Sequence, residues 1–256
     1  MDALLLVGHG SLRADSGSAM IRLAALARRE GLAPLSGAAF LNYSRPTMSE
    51  AFTRLEKQGA KHIFIQPYFL ISGYFVDVAL PREMAKLKLL FPNLKLQLGQ
   101  AFDYQTAFVE LLKERFGAFE DKGYPKALLL MAHGSPKASA NRPIWQTLAV
   151  LKADLVLERA ELAFMECNNP DIPSSIDKLI QSGAKDIRAL PYFLQKGGHV
   201  AEDLPHLIQE AQQCYPDVLI RLSDYLSYHP LMLEALTASQ KASTTNQLEH
   251  HQSDLC

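Results

Sequence analysis

Short apolar runs bounded by glycine or polar residues alternate along the chain with longer segments in which apolar residues recur at helical spacing. Leu4–Val7 is the first such run; glycine bounds it and a longer helical segment follows, so the chain opens as strand, loop and helix. A second strand is expected near Ser36–Leu41, a helix near Met48–Lys57, a strand at His62–Gln66 and a helix after Gly73. A strand at Leu94–Leu98 and a helix at Thr106–Arg115 complete the first half. Alternation of this kind implies βαβ crossovers, and so a mainly parallel four-stranded sheet with helices on both faces. The second half repeats the order and ends with a helix at Leu231–Ser239.

The repetition is literal. Ala3-Leu4-Leu5-Leu6 and His9-Gly10-Ser11 return as Ala127-Leu128-Leu129-Leu130 and His133-Gly134-Ser135, a displacement of 124 residues from His9 to His133. The register then persists without a gap: Gly59-Ala60-Lys61 meets Gly183-Ala184-Lys185, and Pro67-Tyr68-Phe69-Leu70 meets Pro191-Tyr192-Phe193-Leu194. A repeat this long is a domain rather than a solenoid unit, so the expected fold is α/β, with two similar parallel-sheet βα domains related by internal duplication. Residues 1–120 form the first, residues 121–240 the second, and residues 241–256 a polar tail expected to fray. Gly, Asp, Lys and Pro cluster at the boundary, near Gly117–Pro125.

Composition narrows the function classes. With 26 Lys+Arg against 27 Asp+Glu the formal net charge is -1, so no long-range field selects nucleic acid or an anionic membrane. Cys167, Cys214 and Cys256 are odd in number and far apart, which argues against a disulfide framework and for a reducing, cytoplasmic setting. The apolar start is too short for a signal peptide, and the longest uncharged apolar stretch, Ile63–Val76, is shorter than the roughly 20 residues a membrane span needs.

In parallel α/β sheets ligands bind at the carboxyl ends of the strands, and there the halves differ. Both carry His-Gly-Ser after the first strand, but Asn42 of the first half corresponds to Glu166 of the second, and Phe75 corresponds to His199. Any one of these histidines alone reads as an ordinary polar loop residue. His133, Glu166 and His199 at three equivalent strand ends read instead as nitrogen and oxygen ligands for a divalent transition metal. The second half is therefore expected to hold the chemistry and the first to supply a wall. His250 and His251, adjacent in the tail, read as solvated residues.

The paired His-Gly-Ser strand ends, Phe164-Met165-Glu166, and Pro-Tyr-Phe-Leu followed by Gly197-Gly198-His199-Val200 and Asp203-Leu204-Pro205 resemble the sirohydrochlorin chelatase family. The resemblance covers about residues 1–240, in the double-domain form of these class II chelatases. It implies a bilobal fold with a tetrapyrrole in the cleft, insertion of Co²⁺ or Fe²⁺ as substrate for cobalamin or sirohaem, and no organic cofactor. The family's metal positions fall on His133, Glu166 and His199. Long members of the family often keep the working set in the amino-terminal half, which here reads His9, Asn42 and Phe75, so the active site is placed in the second half.

That activity asks for a proton acceptor, and a neutral imidazole serves, with His133 the expected base and Glu166 supplying the charge that attracts the ion. Sirohydrochlorin carries eight carboxylates, so cations and backbone donors should face it. The candidates are Arg13, Arg45, Lys137, Arg142 and Lys196, with Lys137 and Arg142 preferred because they follow the His133 loop. Ser135 and Gly134 are candidates to orient a carboxylate, and Tyr192 or Phe193 to stack on the macrocycle. Rival readings are a protohaem-type ferrochelatase, a non-catalytic metal or tetrapyrrole carrier and, more weakly, a His-Gly-Ser hydrolase, which lacks the Gly-x-Ser-x-Gly elbow. The residue types do not rank iron, cobalt and nickel. A duplicated chain is expected to be a monomer because it satisfies its pairing internally.

Overall fold

A computed structural model describes residues 1–13 and 16–253, with side chains through residue 243. Strands β1 (Asp2–Gly8), β2 (Leu35–Phe40), β3 (His62–Pro67) and β4 (Lys95–Leu98) form a parallel sheet in the order β2-β1-β3-β4. Strands β5 (Lys126–Ala132), β6 (Arg159–Phe164), β7 (Asp186–Pro191) and β8 (Leu219–Leu222) repeat it as β6-β5-β7-β8. The sheets are parallel throughout, as the alternating pattern requires. Leu4, Leu5, Leu6 and Val7 are all fully buried, which explains why this strand is uniformly apolar: it is central in its sheet, with neighbours on both edges and cover on both faces.

The first unit contains α1 (Ser18–Arg29), α2 (Met48–Lys57) and α3 (Leu80–Leu90), and one of its cores gathers Leu5, Ile63 and Ile65 of the sheet with Phe52 and Leu55 of α2. Then come α4 (Thr106–Gly117), α5 (Arg142–Asp154), α6 (Ile172–Gln181), α7 (Leu204–Cys214) and α8 (Leu231–Ser253). A capping box starts α2: the Glu50 N–H donates to Thr47 Oγ1 at 3.3 Å, and the Thr47 N–H donates back to Glu50 Oε2 at 2.8 Å. Asp171 caps α6 by accepting from the Ser174 N–H at 2.8 Å. Hydrogen bonds from Ser174, hydroxyl first and then backbone, hold the Asp171 carboxyl below the usual carboxylate range. Helices α3 and α7 are each entered through a π-helical turn, Phe75–Ala79 and His199–Asp203.

The packing units do not follow the repeat boundary. One unit is Met1–Asp103 with Tyr228–Cys256, and the other is Tyr104–Ser227. Residues 1–120 and 121–240 are thus units of sequence, while the last helix of each repeat packs with the other repeat's sheet. In the first unit Ser239 of α8 donates to Gln66 Oε1 at 3.0 Å, and the Gln66 amide donates to the Gln100 carbonyl at 2.8 Å. The Arg22 guanidinium lies 4.1 Å from the centroid of the Tyr228 ring. Helix continues past Lys241 to Ser253, where a frayed tail was expected from composition. The side chains of His250 and His251 lie outside the described residues.

In the second unit α4 is tied by a buried ion cluster. Asp186 is fully buried and Arg188 3% exposed; Arg188 Nε donates to Asp186 at 3.1 Å, and Arg221 Nη2 reaches both carboxylate oxygens at 2.6 Å. Arg188 Nη1 also donates to the Phe116 carbonyl at the end of α4, at 2.7 Å, and its guanidinium lies over the Phe116 ring. Among the described residues no helix is long and apolar enough to cross a membrane. Arg188→Ala strips the buried carboxylate of one partner and α4 of its anchor, and we expect a loss of about 3 kcal/mol in urea unfolding; a change under about 1 kcal/mol would show the cluster to be dispensable.

Candidate metal centre

The parallel ladder between β5 and β6 does not stop at the strand ends. The Met165 N–H donates to the Ala132 carbonyl at 2.9 Å and the Glu166 N–H to the His133 carbonyl at 3.2 Å, which sets Glu166 beside His133. The side chain of Asn168 completes the junction by accepting from the Ser135 N–H at 2.8 Å. Gly134 makes the close pass possible. It sits at φ +86°, and a Cβ there would meet Asn168 Oδ1 and lie 2.8 Å from the Glu166 carbonyl oxygen.

His199 arrives from the third strand end, as the first residue of the π-helical turn before α7. Its Nε2 lies 3.5 Å from Glu166 Oε1, and His133 Nε2 lies 3.6 Å from Glu166 Oε2. The imidazole centroids are 5.3 Å apart. Among the described residues these three form the group whose ligand atoms converge, all within 4.8 Å of one another. Two ligands held about 2.1 Å from one ion at the tetrahedral angle stand about 3.4 Å apart, so the spacing suits a single divalent cation. The side chains of His133 and Glu166 are half-exposed, which leaves the site open to an arriving ion.

Both imidazoles have their other nitrogen engaged. His133 Nδ1 donates to the Gly134 carbonyl at 3.2 Å, and His199 Nδ1 donates to Asp203 Oδ2 at 2.7 Å. A carbonyl or carboxylate partner fixes the proton on Nδ1 and leaves the Nε2 lone pair for a metal. Asp203 is therefore a positioning residue that sequence reading met only within a shared motif; its signal was the four-residue step from His199 through a helical turn. Asn168 was missed for a plainer reason, since its contact is with a backbone amide.

The other expected site residues divide. Lys137 and Arg142 are exposed at the foot of the loop after His133, and Lys196 is exposed between β7 and the His199 turn. Ser135 is buried, its hydroxyl accepting from the Lys137 N–H at 3.3 Å and its carbonyl accepting from Asn141 at 2.9 Å, so it shapes the loop. Tyr192, expected to stack on a macrocycle, is 1% exposed and meets Phe108 of α4 edge-on at 6.2 Å, so its ring belongs to the core. A strand alternates its faces, and Tyr192 follows β7 on the inward side.

The first unit builds the same backbone with different side chains. The Asn42 N–H donates to the His9 carbonyl at 2.9 Å, and Ser44 takes the place of Asn168 by accepting from the Ser11 N–H at 2.9 Å. Phe75 stands 4.3 Å from His9, ring to ring, where the second unit has its second imidazole. Ala79 occupies the position of Asp203.

Two similar parallel-sheet units, with a candidate three-donor metal site in the second among the described residues, define a duplicated chain of the chelatase type. The CbiX family model matches residues 3–118 and again 127–243, and the chain belongs to that family. It is 24% identical to the sirohydrochlorin ferrochelatase of Priestia megaterium, over 94% of this chain and 90% of that one. It is 22% identical to the sirohydrochlorin cobaltochelatase of the same organism, over 90% and 76% of the two chains. The structure of SirB from Bacillus subtilis with Fe3+ superposes with a TM-score of 0.82 at 20% identity, covering 97% of each chain.

Two substitutions test how the site is held. Gly134→Ala forces Asn168 and the Glu166 backbone away, and we expect it to cost about 1–3 kcal/mol of stability and to abolish tight Co²⁺ binding in a visible-absorption titration. Asp203→Ala frees the His199 ring and should weaken Co²⁺ binding about 10–100-fold, with Asp203→Asn, which keeps an acceptor, falling between; an unchanged Kd in both would remove Asp203 from the site.

Proposed function

We propose that the chain is a sirohydrochlorin chelatase, inserting Co²⁺ or Fe²⁺ into the tetrapyrrole from the site formed by His133, Glu166 and His199. The observation that carries this reading is the convergence of two imidazole Nε2 atoms on one carboxylate, 3.5 and 3.6 Å away, in one unit of a duplicated chain belonging to the CbiX family. The two Priestia relatives named above act on sirohydrochlorin, one with iron and one with cobalt.

Insertion breaks two pyrrole N–H bonds and the ion's bonds to water and protein and forms four bonds from the ring nitrogens to the metal, so the dication enters as two protons leave and the macrocycle's charge is balanced. No electron is transferred, and the balance calls for no organic cofactor. Glu166 draws the ion and offsets its charge while water is stripped from it. Since Nδ1 of His133 is committed to the Gly134 carbonyl, Nε2 is the atom left to hold the metal or to take a pyrrole proton. One lone pair cannot do both at once, so His133 binds the ion first and accepts one pyrrole proton after the ion has passed to the macrocycle, while the other proton leaves to water at the half-exposed site. His199, oriented by Asp203, holds the ion throughout delivery. Lys137 and Lys196, exposed on the loops around these residues, and Arg142, exposed at the start of α5, face the substrate's carboxylates.

The test is anaerobic visible spectroscopy of sirohydrochlorin with Co²⁺ or Fe²⁺ at catalytic protein concentration. Multiple turnovers are expected, with His133→Ala and His199→Ala each lowering kcat/KM about 100-fold or more and His9→Ala sparing it. Stoichiometric binding without turnover would make the protein a carrier, and loss only in His9→Ala would move the chemistry to the first unit.

A further inference from the structure

The strand ends of the first unit are built with the same care as the metal centre, yet they present a different surface. His9 is held as His133 is, Nδ1 donating to the following carbonyl, Gly10, at 2.9 Å. Its Nε2 therefore carries a lone pair, and it makes no hydrogen bond among the described residues. Around it the ligands are gone and rings have taken their place. Phe75 lies 4.3 Å from the imidazole centroid at 65°, Tyr43 5.7 Å at 63°, and Phe69 stacks on Phe75 at 5.9 Å and 12°. Tyr74 meets Phe75 edge-on at 5.5 Å. Tyr43 and Tyr74 are 69% and 63% exposed, whereas the matching positions of the second unit are Cys167 and Gly198.

One imidazole with Asn42 and Phe75 beside it is a poor seat for an aqueous dication, since nothing there offsets the charge or replaces the lost waters. The same imidazole suits a metal already inside a tetrapyrrole. There the four ring nitrogens and the two lost protons satisfy the plane and the charge, and an axial position stays open for a single neutral donor. The half-buried Phe75 and the exposed Tyr43, at 65° and 63° to the imidazole plane, give a flat conjugated ligand apolar surface beside that donor.

We propose that the first unit carries a second ligand site, for a metallated tetrapyrrole, in which His9 Nε2 is the axial ligand and Phe75, Tyr43 and Tyr74 pack against the macrocycle. The proposal rests on the tetrapyrrole reading above for its ligand class and on the His9 cluster for its place. In functional terms it separates the two halves by the state of the metal: the second takes the free ion, the first the ion in its ring.

Iron(III) uroporphyrin, a stable octacarboxylic iron tetrapyrrole, serves as the probe, with metal-free uroporphyrin as its control. Titration into the His133→Ala/His199→Ala double variant, which lacks the second unit's imidazoles, is followed by the Soret band and by low-temperature electron paramagnetic resonance. We expect an imidazole-ligated iron spectrum in that variant, its loss on adding His9→Ala, and its return when free imidazole is supplied to the triple variant. Phe75→Ala in the double background should keep the imidazole signature while weakening binding about tenfold. An unchanged spectrum in the triple variant, no ligation in the double variant, no rescue by imidazole, or equal affinity for the metal-free porphyrin would each overturn the proposal. Turnover of sirohydrochlorin by the wild-type protein is a separate readout that depends on His133 and His199, so the chelatase reading and this site can fail independently.

Discussion

Past the carboxyl ends of β5 and β6 the backbone hydrogen bonds run on for two further residues, and the pass of Gly134 over the Glu166 carbonyl is what allows it. The candidate metal centre depends on that approach. A side chain at position 134 would push the two loops apart, and Glu166 would no longer stand between the two histidines. Because the contact is backbone to backbone, it survives wide changes in the surrounding side chains. The first unit shows this directly: Gly10 sits at φ +89° against the Asn42 carbonyl, and the loops there have the same construction although, of the three candidate ligands, only the histidine is kept, as His9.

Duplication thus supplied a frame twice and left the chemistry to three positions. Exchanging Glu166 for Asn42 removes the negative charge, and exchanging His199 for Phe75 removes a donor and adds a ring. The loss of Asp203 for Ala79 follows from the second change, since a carboxylate placed to orient an imidazole has no use beside a phenyl group. The three differences form one consistent set, in which the second unit keeps the proposed ligands together with the group that aims one of them.

The frame itself is held by parts that cross between the repeats in sequence. Helix α4 closes the second packing unit and α8 the first. The Asp186, Arg188 and Arg221 cluster is expensive to bury, and its hydrogen bonds to the Phe116 and Glu120 carbonyls show what it does: it anchors the end of α4 and the start of the linker. The first unit uses Gln66, Gln100 and Ser239 for the corresponding task, with neutral groups throughout.

Periodicity and repetition alone gave the fold class and most element positions. Helix α2 is found at Met48–Lys57 as expected, and the parallel character of the sheets follows from apolar runs that only a covered parallel sheet can bury, whereas the strand order came from the structure. The convergence of His133, Glu166 and His199 was legible too, because functional groups in such sheets gather at strand ends and the two halves could be compared position by position. What the sequence did not show depends on contacts between distant backbones or on which way a side chain turns. Tyr192 has the right residue type for stacking and the wrong face, Ser135 has its hydroxyl spent on its own loop, and Asp203 acquires its role only once a π-helical turn sets it under His199. Local pattern determines which segments form strands and helices, since burial period and capping act over a few residues. The pairing of α4 with the second sheet, the aim of each imidazole and the aromatic enclosure of His9 were decided by the folded chain, because each arises where groups far apart in sequence compete for the same space.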